Sequence, residues 1–289
     1  MTSTILTRTE WTALAQAHAE RVDELTAGHR QRRSRGERHP VQDFLFEYYG
    51  HRPAQLRRWH PGPGVVLNDA HDPYGSRSGY VLDEGGAARL DVAAFLDRRG
   101  RAVRFVRELL EATLSRPGHH DCFGLHEWAM VYRLQPGQQR HEGLPLRLGQ
   151  AATDAVVEAH RIRCTHFDAY RFFTPPAVGR NALSPTREEQ AAWEQPGCLH
   201  AGMDVYKHCF KLAPAVPSDL TLAAFELARE IRELDMAASP YDVGDFEVVT
   251  VPIETAQGKA EYVARQRDFT VRSNALRHRL LDVLDRLEA

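Results

Sequence analysis

The chain has little cysteine and no long hydrophobic run. Its 289 residues include four cysteines, Cys122, Cys164, Cys198 and Cys209, which are too few for a disulfide scaffold. No apolar stretch approaches the roughly 18 to 20 residues that span a bilayer, and the N-terminal residues lack the pattern of a signal peptide. We therefore expect reduced thiols, a cytoplasmic location and no membrane contact.

The chain also lacks a strong charge of either sign. Its formal net charge is −2, so no global positive field would attract nucleic acid. Arginine is concentrated locally, however, between residues 29 and 60. These side chains form either a solvated, ion-paired surface or a set of contacts to DNA phosphates, through Arg30, Arg32, Arg33, Arg35, Arg57 and Arg58.

Several well-understood catalytic motifs are absent. The sequence contains no G-x-G-x-x-G, no P-loop, no G-x-S-x-G, no H-E-x-x-H and no C-x-x-C. Dinucleotide-binding, P-loop and common hydrolase functions are therefore not indicated.

The hydrophobic periodicity predicts a mainly α fold, a compact multi-helix globular domain with a minor β element. Hydrophobic residues make up 43% of the chain and charged residues 26%, enough for a single domain over residues 1–289. A basic region at about 28–60 precedes a glycine- and proline-rich loop at about 61–86, which could contain a short strand and could cover a site. Mixed structure is expected over 144–173, with short strands around a turn at Thr153-Asp154, and an extended stretch over 246–253. The predicted helices span residues 10–26, 39–50, 91–115, 121–133, 184–193, 197–212, 218–236 and 260–287.

The first of three polar clusters is His126-Glu127 beside Trp128. On a helix, Cys122 and His126 lie one turn apart, and an apolar setting would raise the pKa of a carboxylate such as Glu127 towards a value useful in acid–base chemistry. A core histidine hydrogen-bonded to a neighbouring helix explains the same residues.

The second cluster places His166 and Asp168 among aromatic residues, close to Arg171 and Phe172. Asp168 and Arg171 are spaced for an ion pair on a helix, whereas on a strand His166 and Asp168 would face the same way. A structural ion pair and a functional site are both consistent with this pattern.

The third cluster has the most specific spacing. His200, Asp204 and Lys207 fall at i, i+4 and i+7 of a helix that starts after Pro196-Gly197, and therefore share one face. A charged stripe exposed to solvent would have the same spacing. Apolar neighbours such as Met203 and Tyr206 favour a partly buried site.

If the three clusters converge, they supply ligands for a divalent metal such as zinc, iron or manganese. His126, His166 and His200 are then the candidate ligands. Glu127, Asp168 and Asp204 are the candidate catalytic carboxylates. A metal-dependent enzyme acting on a small molecule is therefore one function that these residues allow.

Several stretches resemble a group of largely actinobacterial proteins labelled 3-methyladenine DNA glycosylase, not of the helix-hairpin-helix type. The resemblance covers the chain from about residue 39 to its C-terminus. It is carried by HPVQDFLFEYY, RRWHPG, HDCFGLHEWAMVYR, HFDAYRFFTP, EQPGCLHAGMDVYK and DMAASPYDV.

This resemblance implies hydrolysis of the N-glycosidic bond of an alkylated base flipped out of DNA, and the metal-dependent enzyme is the alternative to this function. Trp128 and Phe172 would then stack on the base, while Asp168 or Glu127 stabilises the developing sugar cation. Arg171 and Lys207 would contact the substrate, and the arginines between residues 30 and 58 would hold the DNA backbone.

Overall fold

The computed structural model describes residues 3–135 and 143–288, and within these ranges the chain is mainly helical. The prediction of a mainly α fold with a minor β element is confirmed. The strands are β1 (Thr4–Leu6), β2 (Val65–Leu67), β3 (Tyr80–Leu82) and β4 (Ala88–Leu90). The helices are α1 (Arg8–Ser34), α2 (Phe44–Tyr48), α3 (Pro53–Leu56), α4 (His71–Tyr74), α5 (Val92–Leu114), α6 (Leu125–Ala129), α7 (Gly149–Ala159), α8 (Phe167–Tyr170), α9 (Pro175–Val178), α10 (Gln190–Trp193), α11 (Leu199–Lys211), α12 (Ser218–Ala237) and α13 (Ala256–Glu288).

The four strands form one small sheet in the order β1-β2-β4-β3. β1 runs parallel to β2, with Ile5 opposite Val66, while β4 is antiparallel to both β2 and β3. Two of these strands and α4 lie inside the segment that we predicted as a loop at about 61–86. The expected loop is therefore partly regular structure, because the β-branched and aromatic triplets there pair with other strands, β2 with the distant β1 and β3 with the adjacent β4.

Helix α1 is longer than the sequence predicts. Its N-terminus carries a capping box between Thr7 and Glu10, which satisfies backbone N–H groups that lack helical partners. The predicted end near residue 26 is wrong, because the helix continues through Gly28 to Ser34. Its last turns are anchored to Asp43 by a hydrogen bond with His29 Nδ1 at 2.9 Å and by an ion pair with Arg32 at 2.5 Å.

Other predicted elements are shorter than expected or of a different kind. The helix predicted over 121–133 is only α6, because Phe123 and Gly124 adopt positive φ angles of 47° and 71° immediately before it. Thr153 and Asp154 lie within α7 and not in a turn between strands. The extended stretch at 246–253 contains no strand in the described structure, and the helices predicted over 39–50 and 184–193 reduce to α2 and α10.

The core is built around α11, α12 and α13, which pack against one another. Helix α11 is buried on nearly all sides, from Leu199 to Tyr206, because α12 and α13 cover two faces and α2, α6 and α8 lie nearby. Polar residues on α11 and on the inner face of α12 are therefore enclosed by protein.

Candidate metal centre

Two histidines and one carboxylate meet in the core. His126 on α6, His200 on α11 and Asp235 on α12 each present one ligand atom, and these three atoms lie within 4.8 Å of one another. The exposed fractions of the residues are 2%, 9% and 0%. Two imidazoles and a carboxylate at this separation form a recognised ligand set for divalent transition metals.

Backbone geometry brings these helices together. Gly197, just before α11, lies so close to the backbone of residue 119 that a Cβ atom would be 2.3 Å from the His119 carbonyl oxygen. The side chain of Gln195 accepts hydrogen bonds from the backbone N–H groups of His119 and Gly197, at 2.8 Å and 2.7 Å. The segment before α6 is thereby joined to the start of α11, which places His126 beside His200.

His126 and Asp235 contact each other as an ion pair whose orientation departs from that of an ordinary hydrogen bond. His126 Nε2 lies 2.9 Å from Asp235 Oδ1, yet both atoms are buried and without a hydrogen-bond partner among the described residues. Metal–ligand bonds of about 2.0 to 2.2 Å at right angles separate neighbouring ligand atoms by about 3 Å. The separation of these two atoms, and their lack of another partner, therefore match two ligands of one metal ion.

The second oxygen of Asp235 is held by a buried arginine. Arg232 Nη1 donates to Asp235 Oδ2 at 2.8 Å and to Glu127 Oε1 at 3.1 Å, while its guanidinium stacks on the ring of Phe44 at 3.8 Å. Such an outer partner fixes the orientation of a ligating carboxylate. Glu127 acts here as the counter-charge of Arg232.

Electrostatics gives the two histidines opposite protonation states. Burial lowers the pKa of His126, but the charge of Asp235 outweighs burial and holds that pKa well above the ordinary value. Burial and the charge of His126 hold the pKa of His200 well below it. Burial alone would raise the pKa of Asp235, but the charge of His126 makes the net shift downward. In the metal-free protein, protonated His126 thus pairs with ionised Asp235, and His200 is neutral.

A second polar group lies against the first. His166 and His200 stack with ring centroids 5.2 Å apart, and His200 also contacts His126 edge-on at 4.5 Å. His166 Nε2 lies 3.2 Å from Asp204 Oδ2, while Tyr49 donates to Asp204 Oδ1 at 2.8 Å. The Nδ1 atom of His166 is buried with no partner in the described structure.

Lys207 connects this group to the surface. Its ammonium contacts Asp204 and lies 3.8 Å from Asp168. Burial alone would raise the pKa of Asp204, but Lys207 and His166 hold it well below the ordinary value. Burial alone would lower the pKa of Lys207, but Asp204 raises it. The two remain an ion pair at neutral pH.

Asp168 lies at the outer end of this chain of side chains. It accepts from Arg187 at 2.6 Å and pairs with Arg171 at 3.2 Å, and Arg171 lies over the ring of Phe172 at 4.2 Å. A continuous polar path therefore runs from partly exposed Asp168 to the buried centre.

The structure brings the three predicted clusters together, but some residues occupy positions other than those implied by the glycosylase function. Trp128 is fully buried and donates its indole N–H to the carbonyl of Ala238 at 2.9 Å, so its ring offers no free face to a base. Glu127 is 4% exposed and paired with Arg232. Asp168, Arg171 and Lys207 lie nearest to solvent.

The sequence analysis missed Asp235, Arg232 and Tyr49. Arg232 and Asp235 have the i,i+3 spacing of an ordinary surface ion pair, which conceals their burial. Their position on the same helical face as Leu227, Ala228 and Ile231 could have identified them, because that face is apolar.

Half of the predicted DNA-binding arginines have protein partners. Arg30 and Arg57 both pair with Asp23, and Arg32 pairs with Asp43. Arg33, Arg35 and Arg58 are exposed and form no ion pair with a described carboxylate. Arg30, Arg32 and Arg57 therefore belong to an ion-paired surface, the first of the two arrangements expected for this region.

None of the described helices combines the length and hydrophobicity of a membrane span. Comparison with protein-family models, curated protein sequences and solved structures finds no match.

Proposed function

We propose that the protein is a metal-dependent enzyme that binds a divalent transition metal through His126, His200 and Asp235 and acts on a small molecule. The observation that carries the proposal is the approach of these three ligand atoms to within 4.8 Å in a buried setting. Three protein ligands leave coordination positions for water and substrate, as in catalytic and not in structural sites. Iron, zinc and manganese all suit such a ligand set.

A bound metal would supply Lewis acidity and lower the pKa of a coordinated water. The neighbouring residues provide the proton transfer. Because Nε2 of His166 faces Asp204, its N–H lies on that side and its Nδ1 is left as an acceptor. We assign His166 the role of general base, positioned by Asp204, in place of its predicted role as a ligand.

Metal analysis of the purified protein tests this proposal. After loading with Zn²⁺ or Fe²⁺ and removal of excess metal, the wild type should retain about one ion per chain, whereas His200→Ala and Asp235→Asn should retain little. His208→Ala is the matched control, since His208 is a buried histidine on the same helix outside the ligand set. Equal metal retention in all four proteins would refute the assignment.

A second function follows from the resemblance to the glycosylase-labelled group. Its support in the structure is Asp168, a partly exposed carboxylate flanked by Arg171, Arg187 and Lys207. In this proposal Asp168 stabilises the sugar cation and Phe172 contacts the base.

Release of 3-methyladenine from methylated duplex DNA tests this second function. Wild-type protein should release the base, Asp168→Asn should not, and binding should weaken steeply with salt. Charge reversal at Arg33 and Arg35 should weaken binding further. Absence of both base release and low-salt DNA binding would eliminate this function and leave the metal proposal intact.

A further inference from the structure

A groove separate from the metal centre lies where α1, α3 and α4 meet. Its volume is about 340 Å³, and Trp11, Trp59, Tyr74 and three arginines are among its lining residues. Pockets that enclose small ligands begin at about 300 Å³ and combine apolar walls with a few placed polar groups.

The aromatic walls are held rigidly. Trp11 and Tyr74 pack edge to face at 5.6 Å, and the indole N–H of Trp11 donates to the carbonyl of Asn68 at 2.9 Å. Trp59 is partly exposed and has no ring partner among the described residues. Trp59 is therefore the ring of this groove that has a face available for stacking.

Arg58 and Arg77 flank these walls and form no ion pair with a described carboxylate. Arg57 is neutralised by Asp23 at 3.0 Å, but Arg58 is exposed and makes no ion pair within the described ranges. The guanidinium of Arg77 lies over the ring of Tyr74, at 4.6 Å, and donates a hydrogen bond to the carbonyl of Trp59, at 3.4 Å. The backbone carbonyl of Arg58 accepts from Ser218 at 3.2 Å, which anchors this segment to α12.

We propose that this groove binds a nucleoside monophosphate, with the base stacked on Trp59 and the phosphate between Arg58 and Arg77. A guanidinium matches phosphate geometry with two parallel hydrogen bonds. Stacking on an aromatic side chain tolerates any base because every base has a π-face. The site requires a planar ring that carries an anionic group, which is the chemistry of a nucleotide.

The surrounding charge favours a single nucleotide over a strand. Helix α1 carries Glu20 next to the groove-lining Ala19, and its carboxylate disfavours an additional phosphate there. The chain as a whole has a net charge of −2. Arg57, the third arginine of the groove, is already neutralised by Asp23, so a second phosphate would find fewer unpaired cations than the first.

Calorimetric titration of the full-length protein with AMP and with CMP tests the proposal. We expect saturable binding of at least one of them, quenching of tryptophan fluorescence, and at least tenfold weaker binding in Arg58→Glu and in Trp59→Ala. The control is Arg101→Glu, which changes an exposed arginine on α5 outside the groove and should bind as the wild type does. Arg58 is exposed, so its substitution leaves the fold intact even if Trp59→Ala does not.

Adenosine and inorganic phosphate, titrated separately, should each bind at least tenfold more weakly than AMP. Three results would overturn the proposal. These are no saturable binding of either nucleotide, unchanged affinity in Arg58→Glu, and binding of single-stranded DNA at this groove that AMP cannot displace. Each leaves the metal content of the protein unaffected, so this site and the metal centre are tested independently.

Discussion

At the scale of single residues, Asp235 links the candidate metal centre to its support. One carboxylate oxygen faces His126 and the other accepts from Arg232, so the side chain cannot rotate without breaking one of these contacts. Buried charges are costly unless they are paired. Asp235 is paired with both His126 and Arg232, and Arg232 is also paired with Glu127. The centre is thus charge-balanced before a metal arrives, with the proton on His126 in place of the ion.

Metal binding should therefore release a proton. Asp235 holds the pKa of His126 well above the ordinary value, so below that pKa the proton must leave before the nitrogen can coordinate. Affinity for Zn²⁺ should rise as pH increases and level off above the pKa of His126. His200, whose pKa lies well below the ordinary value, should contribute no proton near neutral pH.

Calorimetry of Zn²⁺ binding in buffers of different ionisation enthalpy measures this proton. About one proton released per ion at neutral pH is expected, with the same value in His208→Ala. Binding without proton release would contradict a protonated His126 in the metal-free protein.

Arg232→Met should be strongly destabilising. It leaves Glu127 and Asp235 without their shared cation, and removing one partner from a buried ion pair costs about 3 to 5 kcal/mol. The loss should be smaller in metal-loaded protein, because the ion compensates Asp235. Urea unfolding of both forms measures the difference.

The control for this substitution is Arg279→Met. Arg279 pairs with Asp219 at 2.6 Å, but both side chains are exposed to solvent, so its loss should cost about 0 to 1 kcal/mol. Equal effects of the two substitutions would mean that Arg232 is not neutralising buried carboxylates.

At the scale of elements, long amphipathic helices were predictable and short or non-local ones were not. The helices predicted over 91–115, 197–212, 218–236 and 260–287 agree with α5, α11, α12 and α13 to within four residues, because each carries several turns of apolar periodicity. A minor β element was predicted but its strands were not located, because three-residue strands carry too short a pattern and depend on pairing with other segments. His126, His166 and His200 could be selected as polar residues in apolar settings, but their contact depends on how the helices pack.

The contact between α11 and α12 sets the position of the ligands. At Gly202, a Cβ atom would lie 2.9 Å from Ile231 Cδ1 on α12. Gly202→Leu should force these helices apart, cost about 1 to 3 kcal/mol and lower metal affinity, because His200 and Asp235 lie on the two helices.

Gly202→Ala is the matched control, because the single methyl group meets only the flexible end of Ile231 and gains about 1 kcal/mol of helix propensity. Adding Ile231→Ala to Gly202→Leu should restore part of the metal binding. Unfolding curves and metal content of the three variants measure these effects. Undiminished metal retention in Gly202→Leu would show that this helix contact does not position the site.

At the scale of the whole molecule, the centre joins segments that are far apart in the chain. His126, His200 and Asp235 belong to α6, α11 and α12, so an unfolded chain does not hold them together and a metal should bind the folded state selectively. The same packing encloses the His166–Asp204 pair and leaves Asp168 at the surface.

Metal should therefore stabilise the fold as a whole. Free metal at 100 times its dissociation constant should raise the free energy of unfolding by about 2.7 kcal/mol. Thermal unfolding with and without Zn²⁺ measures this shift, which should be absent in His200→Ala and retained in His208→Ala. An equal shift in His200→Ala would indicate that Zn²⁺ binds elsewhere.

The most direct measurement is a crystal structure of the metal-loaded protein with anomalous diffraction recorded above and below the absorption edge of the metal. We expect one buried anomalous peak, about 2.0 to 2.2 Å from a nitrogen of His126, a nitrogen of His200 and an oxygen of Asp235. A map without a peak at this position, in which His126 and Asp235 form a direct hydrogen-bonded pair, would contradict the proposed metal centre.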